Sequence, residues 1–175
     1  LANIRETDAI AHVVRCFDDE DVVHVSGKIS PLDDIEIIET ELMLADLETV
    51  QKAMLRVAKK ARTGDKDAKL SLAVFEKAEK QLADGKVVRA LDLTKDEKLQ
   101  LQTLHLISAK PTLYIANVDE TGFTNNPYLD AVTAHAKAEG AEIVAVCAKI
   151  EGEIAALDDD EKSLFLEDLG LEEPG

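Results

Sequence analysis

The sequence predicts an α/β protein in which part of a mostly parallel sheet carries an inserted α-helical hairpin. Three short apolar runs, at residues 9–17, 112–116 and 141–148, indicate buried strands. Strands that are covered on both faces of a parallel sheet show such continuous runs rather than polar alternation. Between the first and second runs, the apolar residues recur at helical spacing over two long segments. That change of period indicates a helical insertion between two strands.

A helix is expected between the second and third strands. Residues 127–139 carry Leu129, Val132 and Ala136 at helical spacing, and Gly140 follows as a stop signal. Strand, helix and strand in this order form a βαβ unit, whose crossover should be right-handed.

The insertion is expected to form an antiparallel coiled-coil hairpin. Pro31 and the acidic residues after it are typical of a helix start. The first helix has a seam with spacings of three and four, formed by Leu47, Val50, Met54, Val57 and Ala61. The second helix has an apolar stripe formed by Leu72, Phe75, Ala78 and Leu82. Residues 62–65 form the reversal, and the longer arm should hold about two dozen residues, or roughly 35 Å.

A shorter helix should follow the hairpin. Thr94 and Glu97 have the spacing of a capping box, in which each side chain accepts a hydrogen bond from the backbone of the other. The helix is expected to run to about Thr103.

Composition excludes several classes of protein. The net charge is −16, whereas nonspecific nucleic-acid binding needs a clustered basic face. No run approaches the roughly 18 apolar residues of a membrane-spanning helix. Cys16 and Cys147 lie in apolar runs without a Cys or His at metal-ligand spacing, so buried reduced thiols are expected and no zinc site is assigned. We therefore expect a cytoplasmic protein without membrane contact.

The four residues from Asn117 to Glu120 are the strongest functional signal. An Asn followed three residues later by a carboxylate, at the carboxyl end of a buried strand, is the layout of the base-reading loop of P-loop GTPases. The usual loop has Lys after the Asn and ends in Asp, whereas this chain has Val118 and Glu120. The alternative is a simple turn, in which Asn117 bonds to the local backbone and Asp119 and Glu120 face water.

No phosphate-binding loop is found in the sequence. Gly27 and Lys28 would need a Gly at position 22 and a hydroxyl at position 29, where the chain has Val22 and Ile29. The chain therefore cannot position a triphosphate and magnesium for phosphoryl transfer. No catalytic residue and no metal ligand is assigned.

The remaining polar candidates favour structural roles. The acidic residues 18–21 lack the spacing and glycine of a calcium loop and are interpreted as a solvated loop. His12 lies within a strand and is interpreted as a core imidazole. His24, His105 and His135 are isolated.

Collinear segments along the whole chain carry a family resemblance. They begin at His12 (HVVRCF), His24 (HVSG), Pro31 (PLDDI), Glu41 (ELMLADLE), Gly64 (GDKDAK), Lys110 (KPTLYIANV), Asn125 (NNPYL) and Phe165 (FLEDLG). Together they strongly resemble the Obg-like ATPases of the YchF type, which belong to the P-loop GTPase superfamily.

The resemblance implies a central piece of such a protein, with a partial P-loop NTPase fold that is Rossmann-like. Residues 1–18 and 110–175 would form the C-terminal half of the nucleotide-binding domain, and residues 19–109 the coiled-coil insertion. The family's phosphate loop, switch regions and magnesium ligands would precede Leu1, and its TGS domain would follow Gly175. This piece alone is expected to be inactive, whereas the full-length protein would be an ATPase or GTPase.

The resemblance also implies which residues contact the base. The family's base-specificity loop maps onto Asn117, Val118 and Glu120. The following family loop, which backs the base with a main-chain amide, maps onto Cys147, Ala148 and Lys149. Guanine offers two donors to a carboxylate, whereas adenine has an acceptor in place of the ring N–H. Glu120 moves the carboxylate one methylene further out than Asp, and Val118 replaces the Lys, which removes the fit to guanine. The resemblance therefore implies a preference for ATP over GTP, with main-chain groups of Val118 reading the base and its side chain in apolar contact with it.

The expected function is that of a nucleotide switch that associates with ribosomes. A basic face on the hairpin is nominated for contact with ribosomal RNA and consists of Lys52, Arg56, Lys59, Lys60 and Arg62. A solvated helix face is the alternative interpretation of these residues. The alternative function is a helical-hairpin module for protein interaction, without nucleotide binding of its own.

Overall fold

The computed structural model describes residues 2–18 and 29–168. Its strands are β1 (Ile10–Arg15), β2 (Thr112–Asn117) and β3 (Glu142–Val146). Its helices are α1 (Ala2–Arg5), α2 (Pro31–Arg62), α3 (Lys66–Ala83), α4 (Lys95–Gln102), α5 (Pro127–Glu139), α6 (Ala148–Ala156) and α7 (Asp159–Asp168). Two single 3-10 turns span Val88–Ala90 and Ile107–Ala109.

The chain divides into two compact units. The helical unit consists of residues 1–10 and 35–111, and the sheet unit consists of residues 11–34 and 112–175. No helix in the described ranges is both long enough and apolar enough to cross a membrane.

The sheet has three strands in the order β1-β2-β3. Strands β2 and β3 are parallel, with Leu113 opposite Glu142 and Asn117 opposite Val146. Between β1 and β2, Ile10 donates to the Pro111 carbonyl at 3.0 Å and Cys16 donates to the Asn117 carbonyl at 2.8 Å. These two bonds advance equally along both strands in the same direction, as parallel pairing requires. The predicted parallel α/β sheet is confirmed.

Only one face of the sheet is fully packed in the described residues. Tyr114 and Ala116 are buried beneath α5, whose own Val132 and Ala136 are buried as well. The opposite face includes Val13, which is exposed. The expectation of strands buried on both faces is therefore wrong for this structure. A continuous apolar run indicates that the side chains on both faces of a strand are apolar. It does not indicate that helices cover both faces.

The helix between β2 and β3 has the predicted bounds. The Asn126 side chain caps its first turn, and Pro127 occupies the first helical position. Gly140 ends the helix in the left-handed conformation, with φ of +69°, which glycine adopts without a steric penalty. The third strand ends at Val146, before the end of the predicted run at residue 148, because Cys147 is the N-cap position of α6 and Ala148 begins that helix.

The helical unit contains the predicted helical hairpin. Helix α2 has 32 residues, which is about 48 Å at 1.5 Å per residue and longer than the predicted arm. Asp65 begins α3 by accepting a hydrogen bond from Ala68 N at 2.8 Å. The core between the helices includes Val50, Ala53, Val74, Phe75, Ala78 and Leu82. Most of the predicted seam and stripe lies in or against this core, with Val74 as an addition.

The helix after the hairpin begins as the sequence predicts. Thr94 accepts from Glu97 N at 3.3 Å, and the Glu97 carboxylate accepts from Thr94 N at 2.9 Å. Lys77 of α3 forms an ion pair with the same carboxylate. The hydrogen bond from Lys77 is the main reason that the pKa of Glu97 lies below its usual range.

A buried carboxylate on α2 organises the return of the chain towards β2. Asp46 is fully buried and accepts hydrogen bonds from Ile107 N at 2.8 Å and from Ser108 N at 2.7 Å. Arg5 Nη1 lies 3.6 Å from the same side chain. The Ser108 hydroxyl in turn accepts from Val88 N at 3.3 Å. One acid therefore satisfies the backbone of a 3-10 turn about sixty residues away in sequence.

We expect Asp46→Ala to destabilise the helical unit by roughly 2–4 kcal/mol, because each buried N–H without a partner costs about 1–3 kcal/mol. Hydrogen exchange at the amides of Ile107 and Ser108 should accelerate, and urea unfolding should move to lower concentration. Asp33→Ala is the matched control, since Asp33 is an exposed acid on the same helix. Unchanged exchange at Ile107 and Ser108 in the Asp46 variant would contradict this role.

Candidate functional site

A cavity of about 300 Å³ lies at the carboxyl ends of the parallel strands. It is lined by Phe17, Asn117, Val118, Asp119, Glu120, Thr121, Cys147 and Lys149. This edge is where open α/β sheets bind ligands, and the volume is at the lower end of ligand pockets, about 300–1,000 Å³. A larger groove of about 600 Å³ belongs to the helical unit and contains none of the predicted site residues.

Asn117 ends β2 and links two loops of the site. Its Oδ1 accepts a hydrogen bond from Ala148 N, the first amide of α6, at 3.0 Å. The alternative of a local turn bond by Asn117 is therefore wrong. That type of bond is made by Asp119, whose Oδ1 accepts from Thr121 N at 3.1 Å and from Thr121 Oγ1 at 3.2 Å. The Asn117 side chain thus fixes the spacing between the loops that follow β2 and β3.

Val118 offers less to a ligand than the sequence suggests. Its N–H donates to the Val146 carbonyl at 2.8 Å and so continues the sheet. Residue Val118 as a whole is only 1% exposed, yet it is among the residues that line the cavity. The expected apolar contact between its side chain and a base stays a prediction. In the part of the chain that the structure describes, no group donates to the Val118 carbonyl. Because its N–H is already bonded to Val146, Val118 can recognise a ligand through its main chain only with its carbonyl, as an acceptor.

The neighbouring amides supply the complementary donors. Asp119 and Glu120 both line the cavity, and neither backbone N–H has a partner within the described residues. One free carbonyl followed by free N–H groups is an arrangement that can pair with an acceptor and a donor on the edge of a heterocycle.

Glu120 and Lys149 form an ion pair across the cavity. Lys149 Nζ lies 2.5 Å from Glu120 Oε1, and the side chains are 70% and 53% exposed. The hydrogen bond from the ammonium to Glu120 is the main reason that the pKa of Lys149 is raised above its usual value of 10.5. The carboxylate that would read a guanine base is therefore already engaged by a cation.

The three residues after β3 play different parts. Cys147 is buried, and its carbonyl accepts from Glu151 N at 3.0 Å. The Ala148 amide is committed to Asn117. Lys149 follows in the first turn of α6, where N–H groups have no intrahelical acceptor. The Lys149 amide has no acceptor within α6, and its role in backing a base stays a prediction.

Three cavity residues were missed by the sequence reasoning: Phe17, Asp119 and Thr121. Arg15 lies over the Phe17 ring at 5.4 Å and donates from Nε to the Phe17 carbonyl at 3.1 Å. The available signal was position, because Phe17 is the last residue of the first predicted strand and parallel strands end at one edge.

The other residues considered from the sequence have structural partners or fall outside the description. Asp18 accepts from Tyr128 Oη at 3.0 Å, which raises the pKa of Tyr128. The His12 ring lies 5.7 Å from that of Tyr114. The rest of the acidic run (residues 19–21), His24 and the Gly27-Lys28 pair lie outside the described residues.

Both cysteines are free and buried, as the sequence predicts. Burial raises the pKa of the Cys16 thiol to about 11. This thiol is therefore protonated at neutral pH and a poor nucleophile.

The Glu120–Lys149 pair has a testable titration. Because the pKa of Lys149 is raised in the folded state, the ion pair's contribution to stability is fully present below pH 10.5, the usual pKa of lysine. It is lost as the pH rises through the pKa of the folded state. In Glu120→Gln, we expect the pKa of Lys149, followed by NMR at its side chain, to fall towards the usual value. Glu153→Gln is the matched control, since Glu153 has only a minor influence on Lys149. An equal fall in both variants would show that Glu120 is not the specific partner.

Comparison with known proteins identifies relatives over the whole chain. No protein-family model matches it. The chain is 57% identical over all of its 175 residues to the ribosome-binding ATPase YchF of Escherichia coli O157:H7, covering 48% of that protein. It is 44% identical to the protein of the same name in Bacillus subtilis strain 168, covering all of this chain and 49% of that one.

A solved structure shares the fold. The Schizosaccharomyces pombe YchF GTPase aligns with 97% of this chain and 48% of its own, with a TM-score of 0.83 and 27% sequence identity. The chain spans about half the length of the curated relatives that it matches. Over all of its residues, the chain belongs to the YchF family.

Proposed function

We propose that this chain supplies the base-recognition part and the helical arm of a ribosome-binding nucleotide switch, which hydrolyses ATP in the full-length protein. The observation that carries the proposal is the cavity at the strand ends, where the loops after β2 and β3 are joined by the Asn117–Ala148 bond. The bacterial relatives are named as ribosome-binding ATPases and the solved fission-yeast relative as a GTPase. Those names support nucleotide hydrolysis, but they differ in whether the nucleotide is ATP or GTP.

The donors and acceptors around the cavity favour adenine. Adenine carries an exocyclic amine next to a ring nitrogen that accepts. The Val118 carbonyl would accept from that amine, although residue Val118 is only 1% exposed. The free amide of Asp119 or Glu120 can donate to the ring nitrogen. Guanine has an exocyclic oxygen and a ring N–H at the same positions, so it would set like groups against each other. The donors and acceptors at this edge of the sheet thus complement those of adenine, the base of ATP.

The Glu120–Lys149 ion pair adds to the discrimination. Guanine is normally gripped through two donors by one carboxylate, and here that carboxylate already binds an ammonium. Because Glu120 is half exposed, water can solvate it when no base donor is present, so an unpaired carboxylate alone gives little discrimination. The preference for ATP therefore rests on the main-chain polarity and on competition from Lys149.

Phosphate binding and hydrolysis are proposed for groups outside this chain. The residues around the cavity fit a purine ring, but the described residues include no glycine-rich phosphate cradle. Magnesium, when bound with the triphosphate, would neutralise charge that develops on the phosphates. This chain's own residues would orient the base, and no catalytic residue is assigned among them.

The helical arm is proposed as a contact with ribosomal RNA. Its basic face lies in the last turns of α2, and its charged side chains are all exposed, namely Lys52, Arg56, Lys59, Lys60 and Arg62. Lys52 is paired with Glu48. A cluster of this kind on a chain of net charge −16 would attract phosphates locally while the remaining surface repels nonspecific nucleic acid.

A helical-hairpin module for protein interaction is the second candidate. The specific observation in its favour is Leu55, an exposed leucine within the basic face. Titration with fluorescent ATP separates the candidates, because a switch binds nucleotide in the full-length protein, whereas an interaction module binds its partner without it.

Base selectivity should change when the carboxylate is freed and shortened. In the full-length protein, we expect Glu120→Asp combined with Lys149→Gln to lower the ratio of ATP to GTP affinity about tenfold, which corresponds to about 1.4 kcal/mol. Competition binding with both nucleotides measures this ratio. Lys149→Gln alone is the control, and Val118 is left unchanged because its side chain is buried. An unaltered ratio in the double variant would refute base reading at this edge.

Ribosome association should depend on the basic face. We expect the triple variant Arg56→Glu, Lys59→Glu and Lys60→Glu to reduce cosedimentation with ribosomes, and to flatten its salt dependence, because fewer phosphate counterions are released. The matched control reverses three exposed lysines elsewhere, namely Lys95, Lys98 and Lys137. An equal loss in the control would assign the effect to overall charge rather than to the arm.

A further inference from the structure

Asn126 uses every hydrogen-bonding position of its side chain. It is 8% exposed and occupies the cap of α5. Its Nδ2 donates to the carbonyls of Cys16 and Gly122, both at 2.9 Å. Its Oδ1 accepts from Tyr128 N at 3.0 Å and from Leu129 N at 3.3 Å. Two carbonyls on one side and two amides on the other fix the orientation of the carboxamide.

These four bonds join three segments around the candidate site. The Cys16 carbonyl lies directly after β1 and just before Phe17, which lines the cavity. The Gly122 carbonyl closes the base loop, by which we mean residues 117–122. The two amides begin α5. Since Cys16 N also donates to the Asn117 carbonyl at 2.8 Å, the base loop is tied to the end of β1 at both of its ends, directly at the first and through Asn126 at the last.

Gly122 shows how closely the base loop packs on this amide. A Cβ atom at position 122 would lie 2.8 Å from Asp119 Oδ1 and 3.1 Å from both Asn126 Nδ2 and Val118 Cβ. These distances are shorter than ordinary van der Waals contacts, and Gly122 is itself buried. The exposed Asp119 side chain could move aside, but Val118 and Asn126 are buried, so the base loop packs closely against both. We expect a shift of the Asn126 amide to reach the neighbouring residues that line the cavity.

We propose that Asn126 is the positioning residue of the base site. Its two donated hydrogen bonds hold the base loop so that the Val118 carbonyl and the amides of Asp119 and Glu120 keep their places at the cavity. The inference rests on the proposed function, because it assigns Asn126 a role in recognising a purine base without touching it. It goes beyond helix capping, which needs only the Oδ1 acceptor.

The substitution Asn126→Asp separates helix capping from positioning of the base loop, because it replaces only the Nδ2 group by an oxygen. Aspartate caps helices about as well as asparagine, so Asn126→Asp keeps the acceptor for Tyr128 N and Leu129 N. It removes both donors and sets a carboxylate against the carbonyls of Cys16 and Gly122. A residue that only caps α5 would tolerate this change, whereas a residue that positions the base loop would not.

The matched control is Asn125→Asp, which makes the same chemical change at the preceding residue. Asn125 is exposed and has a φ of +52°, a conformation that Asp tolerates. Both variants are made in the full-length protein. Affinities for ATP and GTP, hydrogen exchange at residues 118–122 and urea unfolding are measured together.

For Asn126→Asp we expect the Kd for ATP to rise at least about tenfold, since two buried hydrogen bonds are lost. Exchange at the hydrogen-bonded amides of Val118, Thr121 and Gly122 should accelerate, while the amides of Tyr128 and Leu129 stay protected. Asn125→Asp should remain within about twofold of the wild type, as surface substitutions usually do. Unchanged ATP affinity and exchange in Asn126→Asp would overturn the inference, and so would a loss of affinity that only accompanies unfolding of α5.

Gly122→Ala keeps the test decisive if Asn126→Asp does not fold. It crowds the same contact from the base-loop side and leaves the cap of α5 intact, so ATP affinity should fall in the same way. Wild-type affinity in this variant would overturn the inference. If the wild-type protein bound no purine nucleotide, the proposed function itself would fail, and that outcome is distinct from a wild type that binds and variants that bind equally.

Discussion

Parallel backbone pairing brings three separate chain segments to one edge of the sheet, and the candidate site depends on that pairing. The bonds Cys16 N to Asn117 O and Val118 N to Val146 O extend the ladders just beyond the strands. They place the residues after β1, β2 and β3 side by side. The Asn117 side chain then spans the last two loops, and Asn126 spans the first two. Strand pairing brings the loops close together, and two side-chain amides then link them by hydrogen bonds. An amide suits this role because it can donate and accept at the same time.

The chain uses carboxylates in two contrasting environments. Asp46 is fully buried and takes two backbone N–H bonds, so its charge is stabilised by fixed dipoles and serves the fold of the helical unit. Glu120 is half exposed and pairs with a lysine that can move away into water. Removing a partner from the first costs stability, whereas the second pair can open at little cost. The low cost of opening the Glu120–Lys149 pair would allow a ligand to replace one of its partners.

Local patterns predicted most of the elements correctly. The stop at Gly140 ends α5 as expected, and Thr94 with Glu97 forms the predicted capping box. Such signals act within a few residues and survive in any tertiary context. Predictions about environment did less well. The strands were expected to be buried on both faces of the sheet, yet Val13 is exposed.

The sequence by itself determined the order of strands and helices, the hairpin insertion and the position of the base loop at a strand end, because periodicity, caps and glycine stops are local properties. Only the tertiary structure decided that Lys149 engages Glu120, that Asp46 anchors a turn about sixty residues away and that Asn126 joins β1 to the base loop. These contacts link residues that are distant in sequence. Their distances are set by strand register and helix packing, which no local pattern records.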